Sequence, residues 1–202
     1  MDEWREKLNE SKWKSSYEQN DYGSVFYGLI RALKPKTIVE LGTKNGFSAY
    51  HMSKALKDNG SGEIHCYDLW EKYPYNSCTL AEAKENLKEF VDKGIAKLEL
   101  KDAIEVAKDY DFIDVLHVDL SNKGEILEEV IPQWLLKTKS LIIIEGGSIE
   151  RDKVDWIKKY NKQPIREWLR KNSDKFQFIV LESFPGLILL QPKLSNFFSY
   201  VY

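Results

Sequence analysis

The sequence predicts an α/β protein built on a seven-stranded, mostly parallel sheet with an antiparallel last strand and helices on both faces. Short apolar runs rich in β-branched residues alternate with stretches of helical period, the pattern of parallel strands joined by crossover helices. A loop bearing Gly42 and Gly46 falls where the first run gives way to the first helix. The last two apolar runs are joined only by Ser183-Phe184-Pro185-Gly186, which can make a turn but cannot hold a crossover helix, so they must be antiparallel.

The elements follow in order. Residues 1–36 carry Trp4, Trp13, Tyr17 and Tyr22 and an amphipathic stretch over 24–33, with Val25, Phe26, Leu29, Ile30 and Leu33 on one face. They read as a helical cap, or a partner surface, on a domain formed by residues 37–202. Strands are expected at 37–41, 63–67, 96–100, 113–119, 140–145, 176–182 and 187–191. A helix over 48–58 is stopped by Asn59, Gly60 and Gly62. A second runs over 79–93, opened by a Thr79-x-x-Glu82 capping box, with Leu80, Ala83, Leu87, Phe90 and Val91 at helical spacing and Gly94 as its stop. A third, from 121 or 122 to 136, places Ile126, Leu127, Val130, Ile131, Trp134 and Leu135 together, and Pro132 should kink it. The stretch 150–175, with nine basic and five acidic residues, reads as a solvated helical face.

Composition excludes several function classes. With 30 Lys and Arg against 32 Asp and Glu, the chain lacks the positive balance that phosphate neutralisation requires, which argues against a nucleic-acid partner. Its apolar runs, such as 141–144 and 187–190, fall far short of the ~20 residues that span a bilayer, so no membrane segment is expected. The opening MDEWREKLNE has no apolar stretch behind it and does not read as a signal peptide. Two cysteines, Cys66 and Cys78, make neither a disulfide framework nor a four-cysteine zinc site, and a cytoplasmic setting is expected.

The most specific feature is Val39-Glu40-Leu41-Gly42-Thr43-Lys44-Asn45-Gly46-Phe47-Ser48. In an open α/β sheet the crevice beyond the carboxyl ends of the strands binds ligand, and glycines there let the backbone approach it. A dinucleotide fingerprint needs G-x-G-x-x-G, whereas Lys44 breaks that pattern and leaves E-x-G-x-x-x-G. Asp68 ends the second strand in His65-Cys66-Tyr67-Asp68-Leu69-Trp70, where an acid can accept hydrogen bonds from ribose hydroxyls. After the third strand, Lys101-Asp102-Ala103 makes a polar turn that could flank an adenine ring.

On these residues the chain resembles the class I S-adenosylmethionine-dependent methyltransferases, Rossmann-like enzymes, over nearly all of 37–191. The resemblance implies S-adenosylmethionine as cofactor, contacted by Glu40, Gly42, Thr43, Gly46, Phe47 and Ser48 of the glycine loop, by Asp68 and Leu69 at the ribose and by Asp102 and Ala103 at the adenine. Leu116-His117-Val118-Asp119 is similar to the small-molecule O-methyltransferases, including the family 24 domains. That similarity implies a small-molecule acceptor methylated at a hydroxyl oxygen, with His117, Asp119 and Glu145 on the acceptor side as base or metal ligands. The chain departs from the pattern in three places. Many such domains carry H-x-D-x-x-H, but Asn122 stands at the second histidine and Leu120 replaces the usual glycine. Glu145-Gly146-Gly147-Ser148 also stands where catechol-type enzymes hold Mg²⁺ with an Asp-Asn pair. Asp119, Glu145 and Asn122 still make a partial oxygen set for Mg²⁺.

Two alternatives differ in class. One is a protein that binds S-adenosylmethionine without catalysis, motivated by those departures; the other is a dinucleotide-dependent oxidoreductase, disfavoured by the glycine spacing. His117 also reads as a satisfied histidine of a buried strand. His51 and His65 read as structural or surface residues, Cys66 as a small core residue, and Cys78 as a thiol with no adjoining base. Arg151, Lys153 or Arg166 could hold an anionic acceptor, and the aromatic tail Phe197 to Tyr202 reads as a packed terminus or a homodimer contact.

Overall fold

Three β-rich runs form parallel strands in the first half of the chain: β1 (Thr37–Leu41), β2 (Glu63–Asp68) and β3 (Ala96–Leu100). In the second half come β4 (Ile113–Val118), β5 (Thr138–Glu145), β6 (Phe176–Leu181) and β7 (Leu187–Pro192). The computed structural model describes residues 12–121 and 123–193. Its seven strands are ordered β3-β2-β1-β4-β5-β7-β6, the mixed sheet expected, and the chain forms two compact units, Met1–Asp109 and Tyr110–Tyr202. Asn122, Trp4 and the aromatic tail lie outside the described residues.

In the first unit β2 pairs in parallel with both β1 and β3, with Leu41 opposite Tyr67 and Asp68 opposite Leu100, so the carboxyl ends of the strands are level. Central β1 is buried on both faces, as a parallel strand under helices must be, whereas β3 at the sheet edge alternates buried and exposed residues. Helix α1 (Tyr22–Leu33) packs on α2 (Phe47–Asn59) so closely that a methyl on Gly23 would lie 2.4 Å from the His51 ring. Ahead of α1, Ser15 and Glu18 form a capping box on the 3-10 turn Ser16–Asn20. The predicted single helix over 79–93 is instead two, α3 (Leu80–Asn86) and α4 (Lys88–Asp92), although the Thr79 capping box forms as expected. The break is at Leu87, whose φ of −103° and ψ of 10° leave the helical well and whose side chain is fully buried against Gly46. Packing onto the glycine loop outweighs local helix propensity there. A short α5 (Ala103–Val106) follows β3.

In the second unit β4 and β5 are parallel, while β7 pairs antiparallel with both β5 and β6. The short link, residues 182–186, thus makes a hairpin, as its length required, and β7 inserts between β5 and β6. Helix α6 (Gly124–Trp134) keeps Pro132 inside it and buries Leu127, Val130, Ile131 and Trp134. The charged stretch 150–175 is not a wholly solvated face. It forms α7 (Ile149–Asp152), α8 (Asp155–Lys159) and α9 (Ile165–Lys171), and buries Ile157, Ile165, Trp168 and Leu169. Lysines and arginines between those apolar positions mask a helical period in the sequence. Among the described residues no helix is long and apolar enough to cross a membrane.

Candidate functional site

The turn from β1 into α2 builds the first half of the site. Glu40 is completely buried at the end of β1, and a buried carboxylate is tolerated only where it is hydrogen-bonded. Ser48 supplies such a bond, its hydroxyl donating to Glu40 Oε1 at 2.5 Å. Gly42 and Gly46 adopt φ of +90° and +92°, the left-handed region that glycine enters without penalty. The Gly42 N–H donates to the Tyr67 carbonyl at 2.8 Å, and the Gly46 N–H to the Thr43 carbonyl at 2.8 Å, which folds the loop back on itself. Helix α2 then starts with no side chain capping it, so its first N–H groups and positive dipole end remain available to a ligand.

Asp68, half-buried at the end of β2, is joined to this loop. Its Oδ2 accepts from the Lys44 N–H at 2.7 Å, and its Oδ1 accepts from the Trp70 N–H at 3.0 Å and from Asn76 Nδ2 at 3.3 Å. The Trp70 indole N–H donates in turn to the Lys44 carbonyl at 2.9 Å. The Lys101 N–H bonds the Asp68 carbonyl at 3.1 Å and brings the end of β3 alongside; there Asp102 caps α5 through the Ile104 N–H at 3.0 Å, and Ala103 is buried behind it. Leu69 is half-buried beside Asp68. All ten residues assigned to the cofactor therefore lie in the first unit, at the carboxyl ends of β1, β2 and β3.

Residues 12–17 lie across the loop. Lys44 Nζ donates to the Lys14 carbonyl at 3.1 Å and Asn45 Nδ2 to the Lys12 carbonyl at 3.4 Å. The Trp13 ring sits 5.0 Å from that of Tyr50, and Tyr17 stacks on Phe47 at 6.0 Å. Asn45 is buried, and its Oδ1 has no hydrogen-bond partner among the described residues. Asn45 was visible in the sequence between the two glycines. Asn76 had no such signal, because only the folded loop brings it to Asp68, and Trp70, although two residues after Asp68, showed no sign that its indole would bond Lys44.

The acceptor-side residues lie in the second unit. His117 is fully buried on β4 opposite Ile143, Asp119 follows the end of β4 half-buried, and Glu145 closes β5 at 3% exposure. Arg151 Nη2 lies 3.2 Å from Glu145 Oε1, and its guanidinium sits 5.6 Å over the Phe184 ring. Arg166 Nη1 donates to Glu182 Oε1 at 2.5 Å and to the Gly147 carbonyl at 3.0 Å. Each arginine considered for an anionic acceptor thus already faces a carboxylate, while Lys153 is exposed. Among the described residues no group of three His, Cys, Asp or Glu side chains could hold a metal ion. Of the three oxygen donors considered for Mg²⁺, Glu145 is matched by a guanidinium, Asp119 stands half-buried after β4, and Asn122 lies outside the described residues.

Neither thiol is a nucleophile. Burial pushes the Cys66 thiol well above its ordinary range, and burial raises Cys78 to about 11. Desolvation lowers the pKa of His51, which packs between Phe47 and Tyr50. His65 is held by Glu63 at 2.8 Å.

Residues 39–145 match the family 24 model described as a methyltransferase domain. Among solved structures, an O-methyltransferase from Bacillus cereus in complex with S-adenosylhomocysteine is 15% identical, with a TM-score of 0.67 over 96% of this chain and 92% of that one. A Podospora anserina methyltransferase with S-adenosylhomocysteine bound is 20% identical, with a TM-score of 0.65 over 92% of this chain and 87% of its own. An O-methyltransferase of tomaymycin synthesis from Streptomyces achromogenes, in complex with S-adenosylmethionine, is 15% identical, with a TM-score of 0.63 over 96% and 91%. At these identities the likeness is one of fold.

Proposed function

The chain belongs to the family of methyltransferase domains, and from that premise we propose that it transfers the methyl group of S-adenosylmethionine to a small-molecule acceptor, at a hydroxyl oxygen. The observation that carries the cofactor half is the glycine loop, folded with two left-handed glycines and bonded through Lys44 to the acid that ends β2. In this reading Gly42, Thr43, Gly46, Phe47 and Ser48 surround the methionine end, with Glu40 anchoring the loop from below. Asn45 Oδ1, a buried acceptor, suits the ammonium group of that end. Asp68 and Leu69 meet the ribose, and Asp102 and Ala103 flank the adenine. Residues 1–36 cap the loop, an assignment supported by the contacts of Trp13, Lys14 and Tyr17, and residues 37–202 form the methyltransferase domain.

Bound S-adenosylmethionine supplies an electrophilic methyl on a sulfonium centre. The protein's part is to align an electron-rich oxygen with it, since in-line displacement is accelerated mainly by positioning and by removal of the acceptor's proton. Asp119, partly open just beyond β4, takes that proton. His117, buried two positions earlier in the chain, is the other candidate for that role, and Glu145 lines the acceptor side with its charge balanced by Arg151. The hydroxyl target and the small acceptor rest on the sequence similarity around His117 and Asp119 and on the O-methyltransferases among the similar structures.

Calorimetric titration with S-adenosylmethionine and S-adenosylhomocysteine, with NAD⁺ as control and with and without Mg²⁺, tests the cofactor. Micromolar binding of the first two, indifferent to Mg²⁺, is expected; binding of NAD⁺ alone would overturn it. Asp68→Ala should weaken S-adenosylhomocysteine binding tenfold or more, about 1.4 kcal/mol, through loss of charge-assisted bonds. Transfer of labelled methyl across a panel of hydroxylated small molecules tests the acceptor, and methylation confined to protein or nucleic acid would refute that half.

A further inference from the structure

Two residues of this site hold a backbone conformation that their side chains disfavour. Lys44 has φ of +49° and Trp70 has φ of +39°, and a bulky non-glycine residue stays in that region only when the surrounding structure holds it there. Both are held by the same carboxylate. The Lys44 N–H donates to Asp68 Oδ2, the Trp70 N–H donates to Asp68 Oδ1, and the Trp70 indole N–H closes the circuit on the Lys44 carbonyl. Lys44 is therefore gripped at both its N–H and its carbonyl, and the loop between Gly42 and Gly46 cannot turn without moving Asp68. Trp70 is fully buried, so its indole N–H would have no water to bond if Lys44 moved away.

The same circuit orients Asp68. A carboxylate offers about four acceptor positions. Trp70 and Asn76 take the two on Oδ1 and Lys44 takes one on Oδ2, which among the described residues leaves one, on Oδ2, aimed by three fixed donors. We propose that Trp70 is a positioning residue that couples the glycine loop to Asp68 and so sets how strongly the protein reads the ribose hydroxyls of its cofactor. This rests on the S-adenosylmethionine reading of the site.

The test is Trp70→Phe, which keeps a buried ring but removes the indole donor together with part of the ring volume. S-adenosylhomocysteine and its 2′,3′-dideoxy analogue are titrated calorimetrically into wild type and variant. Wild type should prefer the ribose form tenfold or more, and the variant should lose at least fivefold of that preference. If Trp70→Phe does not fold, β-(3-benzothienyl)alanine at position 70, with sulfur in place of N–H, provides the same comparison. An unchanged preference would overturn the proposal, and so would equal weakening of both ligands, which is what a merely structural role would give. If wild type binds neither ligand, the cofactor reading itself falls and takes the proposal with it. If wild type binds both equally, only the role of Asp68 and Trp70 at the ribose falls.

Discussion

An alanine at Gly46 would need φ of +92° and would put its methyl 2.9 Å from Leu87 Cδ1. Both demands fall on the loop that positions the site, so Gly46→Ala should destabilise the fold by about 1–3 kcal/mol, read from urea midpoints. Arg151 makes a different case. Glu145 is 3% exposed, and removal of the guanidinium beside it leaves a buried carboxylate without its cation. Breaking a buried pair costs up to about 3–5 kcal/mol, and with 22% of the Arg151 side chain in solvent the lower end applies. Arg151→Ala should therefore lower the thermal midpoint, and adding Glu145→Gln should restore much of the loss; no recovery would mean that packing against Phe184 dominates. The two residues differ in legibility. Gly46 was marked by its place between strand and helix, but nothing near Arg151 in the sequence named Glu145 as its partner. Trp70 was hidden in the same way, since its indole reaches a carbonyl 26 positions away.

The link between α2 and α4 carries the clearest acid sensitivity among the elements. Glu89 of α4 accepts from Lys57 of α2 at 2.5 Å and from Lys93 at 2.9 Å, and these two ammonium groups hold its carboxyl at about 2, against an ordinary 4.5. The folded-state pKa is depressed, so the contribution is fully present above about pH 4.5 and is lost as pH falls towards 2. Urea midpoints across that window should fall less steeply for Glu89→Gln than for wild type, and parallel slopes would remove Glu89 from the account. These helices also show where element boundaries were readable. The Thr79 box marked the start of α3 because a cap is a local arrangement of adjacent residues. The break at Leu87 was not readable, because its cause is a contact with Gly46 far earlier in the chain.

For the whole molecule, a ligand that binds only the folded state must stabilise it. At a hundredfold excess over its dissociation constant S-adenosylhomocysteine should add about 2.7 kcal/mol, which for a chain of this size raises the thermal midpoint by roughly 5–10 °C. NAD⁺ should leave it unmoved, and a midpoint indifferent to S-adenosylhomocysteine would contradict the proposed cofactor. The sequence by itself determined the α/β class, the seven strands to within two residues at either end, the hairpin of the last two and the glycine loop with Asp68 beyond it. Hydrophobic period, link length and the conformational freedom of glycine are local properties, legible one segment at a time. Only the tertiary structure decided that β7 lies between β5 and β6, that one helix becomes two at Leu87, that Arg151 faces Glu145 and that Trp70 joins Lys44 to Asp68. Each of those rests on a pairing that no local pattern specifies, between groups whose chemistry admits many partners, and the choice among them is made by the packing of the folded chain rather than by either residue alone.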